Sequence, residues 1–195
     1  MQCATYATVI IMRAAPVPVL VTPGLSAQVW LLQAGLAVNF LAITLCLRRF
    51  QGGFEMKWIT RENAAVDRTA CPWLIRRFVD PEAEFLFVPS EKVMDTASAT
   101  GAIPFDVAGV ELGHQDGRCS FESIVLKYGL QDPGLNRMAA IIHGADIAGS
   151  EAPPEAAGLL AIMHGLRLQL GLEDHRKLAV STPIYDALYT YCAKA

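Results

Sequence analysis

Apolar and polar positions are distributed in two different ways along this 195-residue chain. No charged side chain occurs from Ala14 to Leu47, whereas charge recurs throughout the sequence after Met56. In the second region Lys57–Thr60 reads as a short strand, and Glu84–Val88 alternates as another. Between them, Asp67 to Phe78 reads as a helix. Thr69 can cap it, Pro72 suits its first turn, and Trp73, Leu74, Ile75 and Phe78 give it an apolar side. Asp80-Pro81 stops it. Glu91–Ala97 fits a short helix, while Ile103–Val107 and Val110–Leu112, separated by Ala108-Gly109, predict a hairpin.

From Ser120 the pattern is helical. Ser120 is the expected N-cap of Phe121–Tyr128, and Gly129 its stop. Asp132-Pro133 opens a helix to about Ile147, and Pro153-Pro154 opens one to about Leu170, where Gly171 ends it. A last helical region runs from Glu173 to Cys192, with a break expected at Thr182-Pro183. The fold class is therefore α+β: a small β-sheet with an N-terminal helix, followed by a mostly helical C-terminal half.

Residues 1–55 form an apolar leader. Ala27–Leu47 is long and apolar enough to span a bilayer, and Arg48 and Arg49 follow it, as in an inner-membrane anchor with a cytoplasmic domain. It is a poor signal peptide, because no basic n-region precedes it and Arg13 interrupts the early apolar run. A third reading is preferred: Gly52-Gly53 implies a G-rich codon run just upstream of Met56, as a ribosome-binding site would give if translated. On that reading 1–55 is an over-extended gene start and 56–195 is the domain.

The leader holds only Arg13, Arg48, Arg49 and Glu55 as charges, so the other 140 residues carry 13 basic and 18 acidic side chains. That length suffices for one domain with a proper core. The acidic balance argues against a broad nucleic-acid surface. Cys71, Cys119 and Cys192 are odd in number and widely spaced, so no disulfide framework is implied and a reducing cytoplasm is the simplest setting. Oligomeric state is left open.

Chemistry concentrates in two places. The run VDRTACPWLIRRF, Val66–Phe78, sets Asp67 and Cys71 beside Arg68, Arg76 and Arg77. An oxyanion near the start of that helix would meet free N–H groups and guanidinium forks, and a thiol there would lean towards thiolate. The plainer reading makes Cys71 a small buried residue and the arginines a solvated face. Cys71 and Arg77 match a C-x5-R spacing, but WLIR lacks the glycine-rich loop of a phosphatase. In the second half, His143 and Asp146 share a helix face, His114 precedes a polar loop, and Glu122 sits in a first helical turn. Together these four form a mixed N/O set suited to iron, manganese or zinc, with Cys119 as an alternative sulfur ligand. A hydrogen-bonded His–Asp pair and a dipole-favoured acid are the structural alternatives.

The pieces WITRENAAVDRTACPWLIRRFVDPEAEFLFVP, GHQDGRCSFESIVLKYGL and MAAIIHGADI resemble the C-terminal domain of the ChrB chromate resistance proteins. The resemblance covers nearly everything after Met56. It implies a bacterial chromate-response protein with chromate, or a similar tetrahedral oxyanion, as its partner. Longer members of the family carry a further N-terminal domain and are regarded as chromate-responsive regulators. The leader looks nothing like that domain, so direct transcriptional control is not expected. The alternatives are a metal-dependent oxidoreductase or hydrolase disposing of chromate or reactive oxygen products, and a membrane-anchored accessory protein if 1–55 is real.

Overall fold

A parallel sheet of three strands, in the order β2-β1-β3, organises the first half of the domain. The computed structural model describes residues 56–147 and 152–194; the leader, with its anchor and start-codon readings, lies outside the described residues. β1 (Lys57–Arg61) is central, β2 (Glu84–Val88) pairs with it along its whole length, and β3 (Ile103–Pro104) pairs with Trp58 and Ile59. The period-two alternation of β1 sends Trp58 into the main core with Phe85 and Phe105. Ile59 points the other way, into a small cluster with Val93 and Ala97 of α2 (Val93–Thr100). One face of the sheet is thus covered by α2 and the other by the helical half.

α1 (Val66–Phe78) is the β1-to-β2 crossover and the central helix of the domain. Nine of its residues are buried, and it packs on α3 (Ser120–Lys127), α4 (Pro133–Asp146), α5 (Glu155–Leu170) and α6 (Asp174–Lys194). Three sequence expectations need correction here.

Thr69 is not the cap of α1, because the helix starts at Val66, and Pro72 lies inside it rather than in its first turn. The Asp174 carboxylate instead receives the N–H groups of Asn63 and Ala64, at 2.8 and 2.7 Å, and fixes the turn that enters the helix. The expected hairpin is absent. β3 is two residues long and pairs in parallel with β1, and Phe105 makes only an isolated parallel bridge to Leu112. The strand-like run is diverted at Asp106, whose φ of +50° bends the chain, and by a turn in which Gly113 donates to Val110 at 3.1 Å. A Cβ on Gly113 would sit 2.3 Å from the Val107 carbonyl oxygen, so that turn requires glycine.

The break at Pro183 is also absent, and α6 is continuous. The hydroxyls of Thr182 and Ser181 both donate to the Leu178 carbonyl, at 2.7 and 3.3 Å, next to the position where proline removes a donor. At two other helix ends the punctuation is as expected. Asp132 caps α4 by accepting from Gly134 and Leu135, and Gly171 closes α5 with a left-handed φ of +53°.

α6 is tied to α1 by buried polar contacts. Tyr185 is fully buried, donates to the Val66 carbonyl at 3.0 Å and lies 2.8 Å from the Thr69 hydroxyl. Lys177, 1% exposed, pairs at 2.9 Å with Asp174 and also donates to the Asn63 side chain at 3.2 Å. Among the described residues no helix is long and apolar enough to cross a membrane.

The Lys177–Asp174 pair anchors the entry to α1, and Asp174 keeps its two backbone donors when Lys177 is removed. Lys177→Ala is therefore expected to cost about 3 kcal/mol, the lower end for breaking a buried pair, measured by urea unfolding. A loss below about 1 kcal/mol would show that the two backbone donors suffice on their own.

Candidate functional site

Three carboxylates meet where the ends of three helices approach the loop after β3. Asp67 lies in the first turn of α1, Asp146 at the end of α4, and Asp106 on the bend after β3. Helix start, helix end and strained loop each deliver one acid to the same point. His114, from the polar loop before α3, reaches over them. Its Nε2 lies 3.2 Å from Asp146, 3.3 Å from Asp106 and 3.5 Å from Asp67.

Asp67 is 1% exposed. One oxygen, Oδ2, accepts the Ser120 backbone N–H at 2.6 Å, at the N-terminus of α3. The other, Oδ1, is buried with no hydrogen-bond partner. Asp106 is better satisfied: Arg61 and Arg68 donate to its Oδ2 at 3.1 and 3.0 Å, and the Ser120 hydroxyl donates to its Oδ1 at 2.9 Å. A buried acid with an idle oxygen is costly, and the electrostatics reflect this. Burial raises the Asp67 carboxyl above its ordinary value. Burial, together with the charges of Asp67 and Asp106, pushes Asp146 up to about 6. The acids act in the opposite sense on His114, which is raised to about 9, first by its contact with Asp67.

The sequence-derived metal set is divided between two neighbouring groups. His114 and Asp146 meet in the carboxylate centre. Glu122 and His143 meet each other instead, with His143 Nδ1 2.7 Å from Glu122 Oε2. His143 and Asp146 do end α4 together, but each turns to a different partner. Glu122 also receives the Cys119 N–H at 2.9 Å, so Cys119, rather than Ser120, is the N-cap of α3. Asp106 was missed altogether; its only signal is an acid within the apolar run IPFDV.

The proposed anion ligands are not gathered. Arg68 is committed to Asp106, Arg77 bonds Asp186 at 2.9 Å and lies over Trp73, Phe78 and Tyr189, and Arg76 reaches the Ala83 carbonyl and stands over Phe85. Arg76 and Arg77 border a cavity of about 240 Å³ that Asp186 also faces. Cys71 does not lean towards thiolate. It is fully buried one turn inside the helix, where Asp67 occupies the first turn, and burial with Asp67 and Asp106 nearby raises its thiol well above the ordinary value. Cys192 is likewise buried, and no described cysteine is bonded to another.

His114 and the acids set a pH dependence. The folded His114 sits at about 9 against an ordinary 6.5, so its contribution to stability is complete below pH 6.5 and is lost as pH rises through 9. Asp146, at about 6, is already ionised over most of that window. The urea midpoint of metal-free protein is expected to fall from pH 6.5 to 9, and the fall should flatten in His114→Gln. Equal falls in both proteins would contradict the assignment.

Residues 58–192 match the family described as ChrB, C-terminal domain. The chain is also 38% identical over 136 residues to Protein ChrB of Cupriavidus metallidurans, a match covering 69% of this chain and 40% of that protein. It thus spans well under half the length of the curated relative. No solved structure matches.

Proposed function

The chain belongs to the ChrB C-terminal domain family, and from that membership we propose a chromate-response protein that binds its oxyanion through a metal ion. The ion is held by Asp67, Asp106 and His114, whose ligand atoms lie within 4.8 Å of one another, with Asp146 beside them. One observation carries this reading. A single nitrogen, His114 Nε2, faces oxygens of three carboxylates at 3.2 to 3.5 Å, although it has only one hydrogen to donate.

The proton on that nitrogen stands where a divalent cation would bridge imidazole and carboxylates. It offers one positive charge, whereas a dication offers two and needs no hydrogen-bond direction. Asp67 Oδ2 lies 3.5 Å from that nitrogen, and its partner Oδ1 is buried with no hydrogen bond to compensate the charge. Carboxylate oxygens with one imidazole suit manganese, iron or zinc. On metal uptake His114 gives up its proton, so affinity rises with pH between 6.5 and 9.

The charge pattern also supports a metal rather than bare arginines as the oxyanion's contact. Chromate is a tetrahedral dianion, and three carboxylates repel it. Arg68 is neutralised by Asp106, and Arg77 by Asp186. A bound dication reverses the sign of the centre. Its outer side lies at the half-exposed His114 and Arg61, where the site opens to solvent.

The test is calorimetric titration of chromate, with sulfate as competitor, into chelator-treated protein and into protein reloaded with Mn²⁺ or Zn²⁺. Chromate should bind only the loaded forms. Asp67→Asn should weaken Mn²⁺ binding at least about tenfold, the lower bound seen when even a supporting group around a metal is lost. Equal chromate affinity without metal, abolished by Arg68→Ala, would replace this reading with a direct arginine site.

A further inference from the structure

A second set of metal-ligating side chains stands beside the carboxylate centre without belonging to it. One ligand atom each of Cys119, Glu122 and His143 lies within 4.8 Å of the others. The three come from the N-cap and first turn of α3 and from the last turn of α4. We propose that Cys119, Glu122 and His143 form a second cation site, for a borderline divalent ion such as Zn²⁺, with its remaining coordination position open.

The donor set decides the class of ion. Thiolate, carboxylate and neutral imidazole bring two negative charges, which balance a dication. Sulfur with nitrogen selects zinc-like ions over manganese or magnesium, which prefer oxygen-rich sets; the neighbouring group, with its carboxylates, is closer to that kind. Three protein ligands with a free fourth position is the usual arrangement of reactive zinc. The balance of the binding step is simple. The Cys119 thiol loses its proton to solvent, the imidazole stays neutral by carrying its one proton on the nitrogen that does not bind, and sulfur, nitrogen and oxygen bond the ion.

The surroundings favour that exchange. The Cys119 sulfur faces the first-turn amides of α3, where helix N–H groups stabilise a developing thiolate. Without an ion, burial keeps the thiol protonated. The Glu122 and His143 side chains are 27% and 22% exposed, so an ion can enter from their side. Glu122 also borders a cleft of about 630 Å³ shared with Val125, Leu130, Asp132 and Asn136. A nucleophilic Cys–His–Glu triad fits less well, because Cys119 is fully buried and no substrate carbon can reach its sulfur, whereas an ion can.

The test uses Co²⁺ as a spectroscopic stand-in for Zn²⁺ in the chelator-treated full chain. Co²⁺ should produce a sulfur-to-cobalt charge-transfer band that saturates at one ion per chain and is displaced by Zn²⁺. The band should vanish in Cys119→Ser and weaken in His143→Gln, a change at a partly exposed position that spares the core. It should persist in Cys71→Ser, which removes the other buried thiol of the region, and in Asp67→Asn, which removes a ligand of the carboxylate centre. Absence of the band, its survival in Cys119→Ser, or its loss in Cys71→Ser would overturn the proposal. Because the band reports sulfur alone, failure here leaves the Mn²⁺ result at the carboxylate centre standing, and failure there leaves this one.

Discussion

The burial of Asp67 is the constraint on which the rest of the domain depends. A carboxylate that is 1% exposed needs donors or countercharge from every element around it, and those elements are arranged accordingly. The N-terminus of α3 gives it the Ser120 N–H. The bend at Asp106 brings Arg61 and Arg68 onto the carboxylate beside it, and α4 ends there with Asp146. Moving any of these ends by one turn would leave Asp67 charged and unsupported. The strained backbone of Asp106 is held by the same contacts, because Arg61 on β1, Arg68 on α1 and Ser120 on α3 all converge on its carboxylate. The fold and the candidate site are therefore one arrangement: the polar network that builds the site also sets the register of sheet against helices.

The Cys119–Ser120 peptide joins the two ligand groups. Neighbouring backbone amides serve different acids: the Cys119 N–H goes to Glu122, and the Ser120 N–H goes to Asp67. Cys71 lies among these groups as a buried neutral thiol. It contributes volume to the core and no negative charge to a region that already has an excess.

The helices were legible in the sequence because proline, glycine and capping acids mark their ends locally. Asp132-Pro133 and Gly171 act where their chemistry says they should. The hairpin reading failed because Ala108-Gly109 is a local turn signal, while the partner that β3 uses is β1, more than forty residues earlier. The expected break at Pro183 failed because long-range packing of Tyr185 on α1 holds α6 straight. The spacing of His143 and Asp146 revealed a shared helix end but not their divergent partners, which come from α3 and from the loop holding His114. Asp106 was illegible because nothing local distinguishes it. Its role arises from a positive φ and from two arginines that are 45 and 38 residues away.

An acidic centre in a protein family linked to an oxyanion looks contradictory only while the centre is regarded as the anion's direct contact. Arginine clusters bind tetrahedral anions when their charge is free, and here the buried carboxylates consume it. Carboxylates this close stay together by holding a proton or by having a positive group among them. In the metal-free protein that role falls to His114, raised to about 9 by the acids it bridges. A proton on imidazole is a weak substitute, since it satisfies one oxygen at a time and leaves Asp67 Oδ1 idle. On the proposed reading a metal ion would satisfy several oxygens at once, keep a position for a further ligand, and turn a site that repels chromate into one that attracts it. On that reading the same acids that exclude the bare anion would be the reason a metal-bound anion could be held at this point of the fold.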